Sequence, residues 1–317
     1  MTSVGQVESA GDARPVATSP SPHHISVCIC TLKRGELLRQ TLTHLENQRT
    51  EGLFTYSVVV ADNDVMESAR EVVAAFSSTA GLPVTYCIEP QQNIALARNR
   101  ALQNADGDLI AFIDDDEFPE EDWLYTLFKA YLATGAAGVL GPVKPYFDVE
   151  PPHWVKKGGF FNRPTYPTGY RLHWGQSRTG NVLFRREIIH DLDVPFQPHF
   201  ATAGEDMDFF RRAMEKGYRF VWCDEAAVYE VVPSSRCTRT YLLRRALLRG
   251  SNFPKHPTDR LRNIGKSLVA VPAYALALPI LLFFGQHVFL KYLIKFLDHV
   301  SRLLAFLGFA VVTERQT

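Results

Sequence analysis

Cysteine is scarce in this chain. Its five residues, Cys28, Cys30, Cys87, Cys223 and Cys237, include one closely spaced pair and no second pair to complete a zinc site. Cys28 and Cys30 stand two apart in an apolar run, which puts both on one face of a strand, and they read as small core side chains of a reduced protein. An excess of either charge is also missing: 34 Lys and Arg face 34 Asp and Glu, which excludes a general nucleic-acid binder. The N-terminal stretch has no apolar run. Residues 1–24 are rich in Ala, Gly, Ser, Pro and Thr and are expected to form a disordered arm, not an export signal, so cytoplasmic chemistry is expected. The remainder of the 317 residues, 46% hydrophobic overall, suffices for one large α/β domain with an appendage.

From Ile25 to Gly141 strand and helix patterns alternate. Buried strands are expected at Ile25–Thr31 and Tyr56–Asp62, a short strand at Val84–Ile88 and another apolar strand at Leu109–Ile113. Leu37, Leu38, Leu42 and Leu45 mark one face of a helix, and another helix runs from Ile94 to Ala105, stopped by Asp106-Gly107. This order predicts a mainly parallel, doubly wound sheet, whose ligands sit beyond the carboxyl ends of the strands. Thr31, Asp62 and Asp114–Asp116 all fall at such ends. Pro142–Arg178 is aromatic and aperiodic and is expected to be a substrate-contacting loop region. A helix follows Gly204 and ends at Gly217, then come two short strands and the basic helix Tyr241–Arg249. Ser267–Gly285 carries no charge but contains Pro272 and Pro279; His287–Val312 mixes Lys291, Lys295 and Arg302 with apolar residues at helical spacing. The expectation is therefore a main domain over residues 25–250 and a membrane-associating helical segment over 251–317, whether spanning or interfacial.

The feature richest in chemistry is Phe112-Ile-Asp-Asp-Asp-Glu-Phe-Pro119, an apolar strand that delivers clustered carboxylates to its exposed end. Neighbouring carboxylates repel, and a cation lets them share a site. Oxygen-only ligands suit Mg²⁺ or Mn²⁺, which can neutralise a departing diphosphate. Taken alone, the cluster has a second reading as a solvated acidic turn ahead of a helix.

The ordered segments Val27-Cys-Ile-Cys-Thr-Leu-Lys-Arg34, Val60-Ala-Asp-Asn-Asp64, Ala97-Arg-Asn-Arg-Ala101, Phe112-Ile-Asp-Asp-Asp-Glu117 and Gly204-Glu-Asp206 narrow this choice. Together they resemble the family 2 glycosyltransferases, which have the GT-A fold, and within them the ExoM-type succinoglycan-biosynthesis β-1,4-glucosyltransferases. The resemblance implies an inverting, metal-dependent transfer of a sugar from a nucleotide-diphosphate donor, UDP-glucose as the first candidate, to a glycan or lipid-linked acceptor in bacterial polysaccharide biosynthesis. The enzyme would work at the cytoplasmic face of the inner membrane. The resemblance also implies that Thr31 and Asp62 hold the base, with Arg98 near the base or diphosphate. Asp114 and Asp115 would contact the nucleotide sugar, and Asp116, with Asp114, would bind Mg²⁺ or Mn²⁺. Asp206 would be the general base, with Glu205 beside it as the other candidate. Where relatives carry a late metal-binding histidine this chain offers Glu230, which is alternatively a partner for Arg236 or Arg239. The family's first loop often has an aromatic residue where Leu32 stands here. Two rival readings are a metal-dependent nucleotidyltransferase, for which Thr31-Leu-Lys-Arg-Gly35 has too few glycines, and a catalytically silent glycan-binding module, which would be expected to lack the carboxylates.

Overall fold

The structure, a computed structural model, describes residues 23–200, 204–251 and 260–309. The expected N-terminal arm lies outside them except for His23 and His24, which open the first strand. The chain runs β1 (His23–Thr31), α1 (Gly35–Leu45), β2 (Phe54–Asp62), α2 (Arg70–Thr79), β3 (Val84–Ile88), α3 (Ile94–Gln103), β4 (Leu109–Ile113), β5 (Glu117–Pro119), α4 (Trp123–Thr134), β6 (Gly138–Leu140) and β7 (Val143–Tyr146). It continues through α5 (His153–Gly158), β8 (Asn181–Arg185), α6 (Glu187–Asp191), α7 (Glu205–Glu215), β9 (Phe220–Trp222), β10 (Val228–Val231), α8 (Arg239–Ser251), α9 (Arg260–Leu281) and α10 (Gln286–Phe306).

Seven strands form one sheet in the order β3-β2-β1-β4-β8-β6-β9. The expected parallel arrangement holds for β1 to β4; β8, antiparallel to both β4 and β6, is the strand that runs against the rest. Alternating side chains divide the core between the sheet's two faces. Ile25, Val27 and Ile29 of β1 pack with Leu38, Leu42 and Leu45 of α1, while Cys28 joins Ala95 and Ala101 of α3 on the other face. Each fully buried leucine of this kind contributes about 1.5–3 kcal/mol. Cys28 and Cys30 point to that second face, and all five cysteines are free thiols.

The register carries the chemistry to one edge. Thr31 pairs with Asp62 at the last position of β1 and β2, and Cys28 lies beside Phe112 of β4, so Thr31, Asp62 and the acidic run after Ile113 emerge together. A second, three-stranded sheet, β5-β10-β7, closes over this edge. The stretch expected to be loop, Pro142–Arg178, supplies β7 and α5 to this region. At the C-terminal end α9 continues through Pro272 and Pro279, and α10 packs back against both α9 and α8.

Candidate active site

Three segments meet at the carboxyl edge of the large sheet: the turn after β4, the loop after β1 and the start of α7. The carboxylate of Asp115 accepts the Thr31 hydroxyl at 2.8 Å and the Arg34 guanidinium at 3.0 Å. Burial, with the adjacent Asp116 assisting, pushes its pKa up to about 6 against the opposing pull of Arg34 and Thr31. Asp116 is held by Arg34 at 3.2 Å and Arg236 at 3.5 Å, and burial raises its pKa also. Asp114 is the open member, its side chain 46% exposed and 3.9 Å from the Arg98 guanidinium.

Glu117, to which the resemblance assigns no role, is enclosed in the same cluster. Its Oε2 accepts the Asp114 backbone N–H at 3.2 Å, whereas its Oε1 is buried without a partner. Burial drives its pKa upward. Gly180 leaves room here: a Cβ would stand 2.9 Å from Glu117 Oε1 and 3.1 Å from Asp114 Oδ2. Both carboxylates therefore flank one small cradle.

Glu117 also pairs directly across from Glu230 in the β5–β10 ladder, a like-charge arrangement that costs stability unless a cation intervenes. Arg163 supplies that cation. It bonds Glu230 and its field opposes the rise in the Glu117 pKa. Arg236 also reaches Glu230, at 3.4 Å. In this structure Glu230 is engaged by Arg163 and Arg236, the second of them a partner its sequence position suggested, and it shares Arg236 with Asp116.

Arg98 and Glu205 form a buried ion pair that ties α3 to the first turn of α7. Glu205 and Asp114, followed by Asp206, raise the Arg98 pKa although burial opposes its charge. Burial raises the pKa of Glu205, whose second oxygen has no partner. Asp206 differs from its neighbour. It is partly exposed, with one oxygen on the Met207 N–H at 2.7 Å and the other 3.7 Å from Arg178. Of the two candidates for the base, only Asp206 faces the open edge. Residues 201–203, immediately before this helix, lie outside the described residues.

Asp62 stands apart. It is fully enclosed and accepts the N–H groups of Asp64 (3.1 Å) and Ala69 (2.8 Å) and the Tyr86 hydroxyl (2.9 Å). Its oxygens organise the loop leading into α2. The aromatic loop residues largely contact one another: Tyr166 stacks on Tyr170 at 4.7 Å, Trp154 meets Phe160, and Tyr146 meets Phe118 edge-on. Tyr146 and Tyr170 keep exposed surface.

The chain has known relatives. The family model for glycosyl transferase family 2 matches residues 26–192. The chain is 36% identical to the succinoglycan biosynthesis protein ExoM of Rhizobium meliloti (strain 1021) over 231 residues, 72% of this chain and 73% of that protein. The chain belongs to glycosyl transferase family 2. Among solved structures, a mannosyltransferase from Pyrobaculum calidifontis in complex with GDP-Man and Mn²⁺ superposes with a TM-score of 0.62 at 20% identity, covering 93% of this chain and 90% of that one. The S. aureus TarS 1–349 fragment in complex with UDP superposes at 0.52 and 15% identity, covering 92% and 94%. These likenesses establish the GT-A fold for this glycosyltransferase.

Proposed function

We propose that this family 2 glycosyltransferase moves a sugar, with inversion, from a UDP-sugar such as UDP-glucose to a hydroxyl of a lipid-linked glycan in bacterial polysaccharide biosynthesis, at the cytoplasmic face of the inner membrane. The observation that carries the chemistry is the meeting of the Asp114–Glu117 turn with the start of α7 through Arg98, which bonds Glu205 and lies 3.9 Å from Asp114. The name of the R. meliloti relative supports a polysaccharide product. UDP-glucose rests on the subgroup resemblance.

The donor set fits a divalent cation, Mg²⁺ or Mn²⁺. It is made of carboxylate oxygens, one of them the orphaned Glu117 Oε1 beside the cradle at Gly180. Among the described residues no three such groups already converge as a ready-made metal site. Asp114 and Asp116, with Glu117 behind them, would hold the ion, which when bound supplies charge neutralisation for the leaving diphosphate. Asp206 takes the acceptor hydroxyl proton as that oxygen attacks the anomeric carbon, and the bond to the diphosphate breaks with its electron pair leaving on phosphate oxygen. Glu205, clamped by Arg98, keeps the first turn of α7 in place. Thr31 and Arg34 hold Asp115 and Asp116 in position, and Asp62 builds the wall against which the base lies.

The test is Asp206→Asn assayed with a panel of UDP- and GDP-sugars beside calorimetry of donor and Mn²⁺. Turnover falls about 10²–10⁴-fold, the usual contribution of a general base, while donor affinity stays within a few-fold. Equal losses of affinity and turnover would remove Asp206 from the base role, and an intact rate combined with loss in Glu205→Gln would move that role to Glu205.

A further inference from the structure

The C-terminal helices carry information about the surface on which this enzyme works. Helix α9 is long and apolar enough to cross a membrane by length and composition. Its exposed residues are not distributed around it. Leu261, Leu268, Val269, Leu276, Ile280 and, just past its end, Phe283 recur at helical spacing and form one stripe, with exposures from 61% to 90%. The stripe runs the length of a 22-residue helix, about 33 Å at 1.5 Å per residue.

The opposite face of α9 is occupied by α10. Ser267 shares a hydrogen bond of 2.9 Å with His299, and Tyr274 meets Tyr292 at 6.0 Å between ring centroids. These contacts fix an antiparallel hairpin. The far half of α10 is docked on α8: Ser301 donates to the Leu247 carbonyl at 2.6 Å, Arg249 bonds Asp298 at 2.8 Å, and Gly250 is so close that a Cβ would stand 2.6 Å from the Asp298 carbonyl oxygen. The chain therefore leaves the catalytic domain along α9 and returns to it along α10.

This pairing decides between crossing and lying. A crossing α9 would draw Lys291, Lys295, Asp298 and Arg302 of α10 towards hydrocarbon depth, since the Ser267–His299 and Tyr274–Tyr292 pairings set them level with residues 264–275 of α9. Charged side chains at that depth are strongly disfavoured. Lying flat removes the conflict: the stripe enters lipid and the charged helix stays above it. Exposed Lys266, Lys291 and Lys295 then suit anionic headgroups, with the Tyr274–Tyr292 pair set among them in the manner of interfacial aromatics.

We propose that α9 and α10 form a one-leaflet foot that seats the enzyme on an anionic lipid surface through the outward stripe of α9, with both ends of the hairpin on the catalytic side. This deepens the lipid-linked acceptor reading by naming the surface, and its test is read separately from catalysis. The full chain is floated with phosphatidylcholine vesicles with and without phosphatidylglycerol. Leu276→Asp/Phe283→Asp is expected to partition at least about tenfold more weakly, since each loses a large apolar contact, while hydrolysis of the donor sugar is unchanged. Lys291→Glu/Lys295→Glu is expected to lose only the preference for phosphatidylglycerol. For topology, Val269→Cys and Phe283→Cys are each prepared twice, once carrying a nitroxide and once with the thiol left free, with wild-type labelling subtracted. The nitroxides are expected at one shallow depth, and the free thiols are expected to be shielded from an impermeant maleimide trapped inside the vesicles. Reaction with the trapped maleimide, or a label at the bilayer centre, would overturn the proposal in favour of a spanning helix. Flotation untouched by the aspartates would overturn it as well, as would a dimer that the aspartates dissociate without any lipid binding, which would assign the stripe to a second copy of the chain.

Discussion

Replacing Arg98 with Met isolates the buried pair that joins α3 to α7. Arg98 and Glu205 are 7% and 5% exposed, and the second Glu205 oxygen already lacks a partner. Removing the guanidinium leaves a carboxylate enclosed with no cation, which costs about 3–5 kcal/mol. At about 2–4 °C per kcal/mol for a domain of this size, Tm falls by roughly 6–20 °C. The loss depends on pH, and its sign follows from Glu205. Burial already holds the folded pKa of Glu205 above its ordinary value, and Arg98 is the main force opposing the rise. Without Arg98 that pKa climbs further. Stability from the protonated form is then fully present below the unfolded value and is lost as pH rises through the folded one. The deficit of the variant is therefore largest near pH 8 and shrinks towards about pH 5. Adding Glu205→Gln removes the stranded charge and recovers most of the loss at the higher pH. Denaturant melts of wild type, the single variants and the double variant at the two pH values complete the cycle. A single-variant loss below about 1 kcal/mol, the range of an exposed ion pair, would refute the reasoning. So would a double variant no more stable than Arg98→Met at high pH.

Two further outcomes follow from the same cluster. Glu230→Gln frees Arg163 and Arg236 from their shared partner but leaves the Mn²⁺ concentration for half-maximal rate unchanged; a metal titration that shifts to higher concentration would restore Glu230 as a ligand. Asp115, whose folded pKa stands at about 6 against an ordinary 3.8, contributes stability that is lost as pH rises between those values, an effect of about 3 kcal/mol that Asp115→Asn removes from the pH–stability curve. An unaltered slope in that variant would refute the assignment.

Much of the fold was legible because burial on both faces writes continuous apolar runs. Leu109-Ile-Ala-Phe-Ile113 is such a strand with the bounds its composition suggests, whereas Val84–Ile88, only partly buried at the sheet edge, is marked by its β-branched and aromatic residues. Strand direction is not written in composition, so the reversal at β8 appears only when its partners are known. Strands of three or four residues, such as β5 and β7, are too short to show a period, and β7 includes Pro145. In α9 Pro272 and Pro279 count against a simple spanning segment, yet the helix continues through both, which fall on its exposed face.

The site was more legible in its anions than in its cations, of which the sequence pointed to Arg98 and Arg236 but gave Arg34 and Arg163 no role, and electrostatics explains the asymmetry. Asp114, Asp115, Asp116 and Glu117 occupy one window at the end of one strand, so their clustering is visible in a single line of sequence. A buried carboxylate cluster cannot stay charged without compensation, so cations were required; nothing local says where they come from. Arg34 arrives from the loop after β1, Arg98 from α3, Arg163 from the segment between α5 and β8, and Arg236 from the turn before α8. Each looks like an ordinary surface arginine in its own segment. The tertiary fold gathers them, and in doing so it separates residues that the motif makes equivalent: Asp115 and Asp116 become enclosed partners of Arg34, while Asp114 keeps an open edge. Glu205 and Asp206 divide in the same way, one taken by Arg98 and the other left at the open edge. Roles within an acidic motif are thus set by which carboxylates the distant arginines reach.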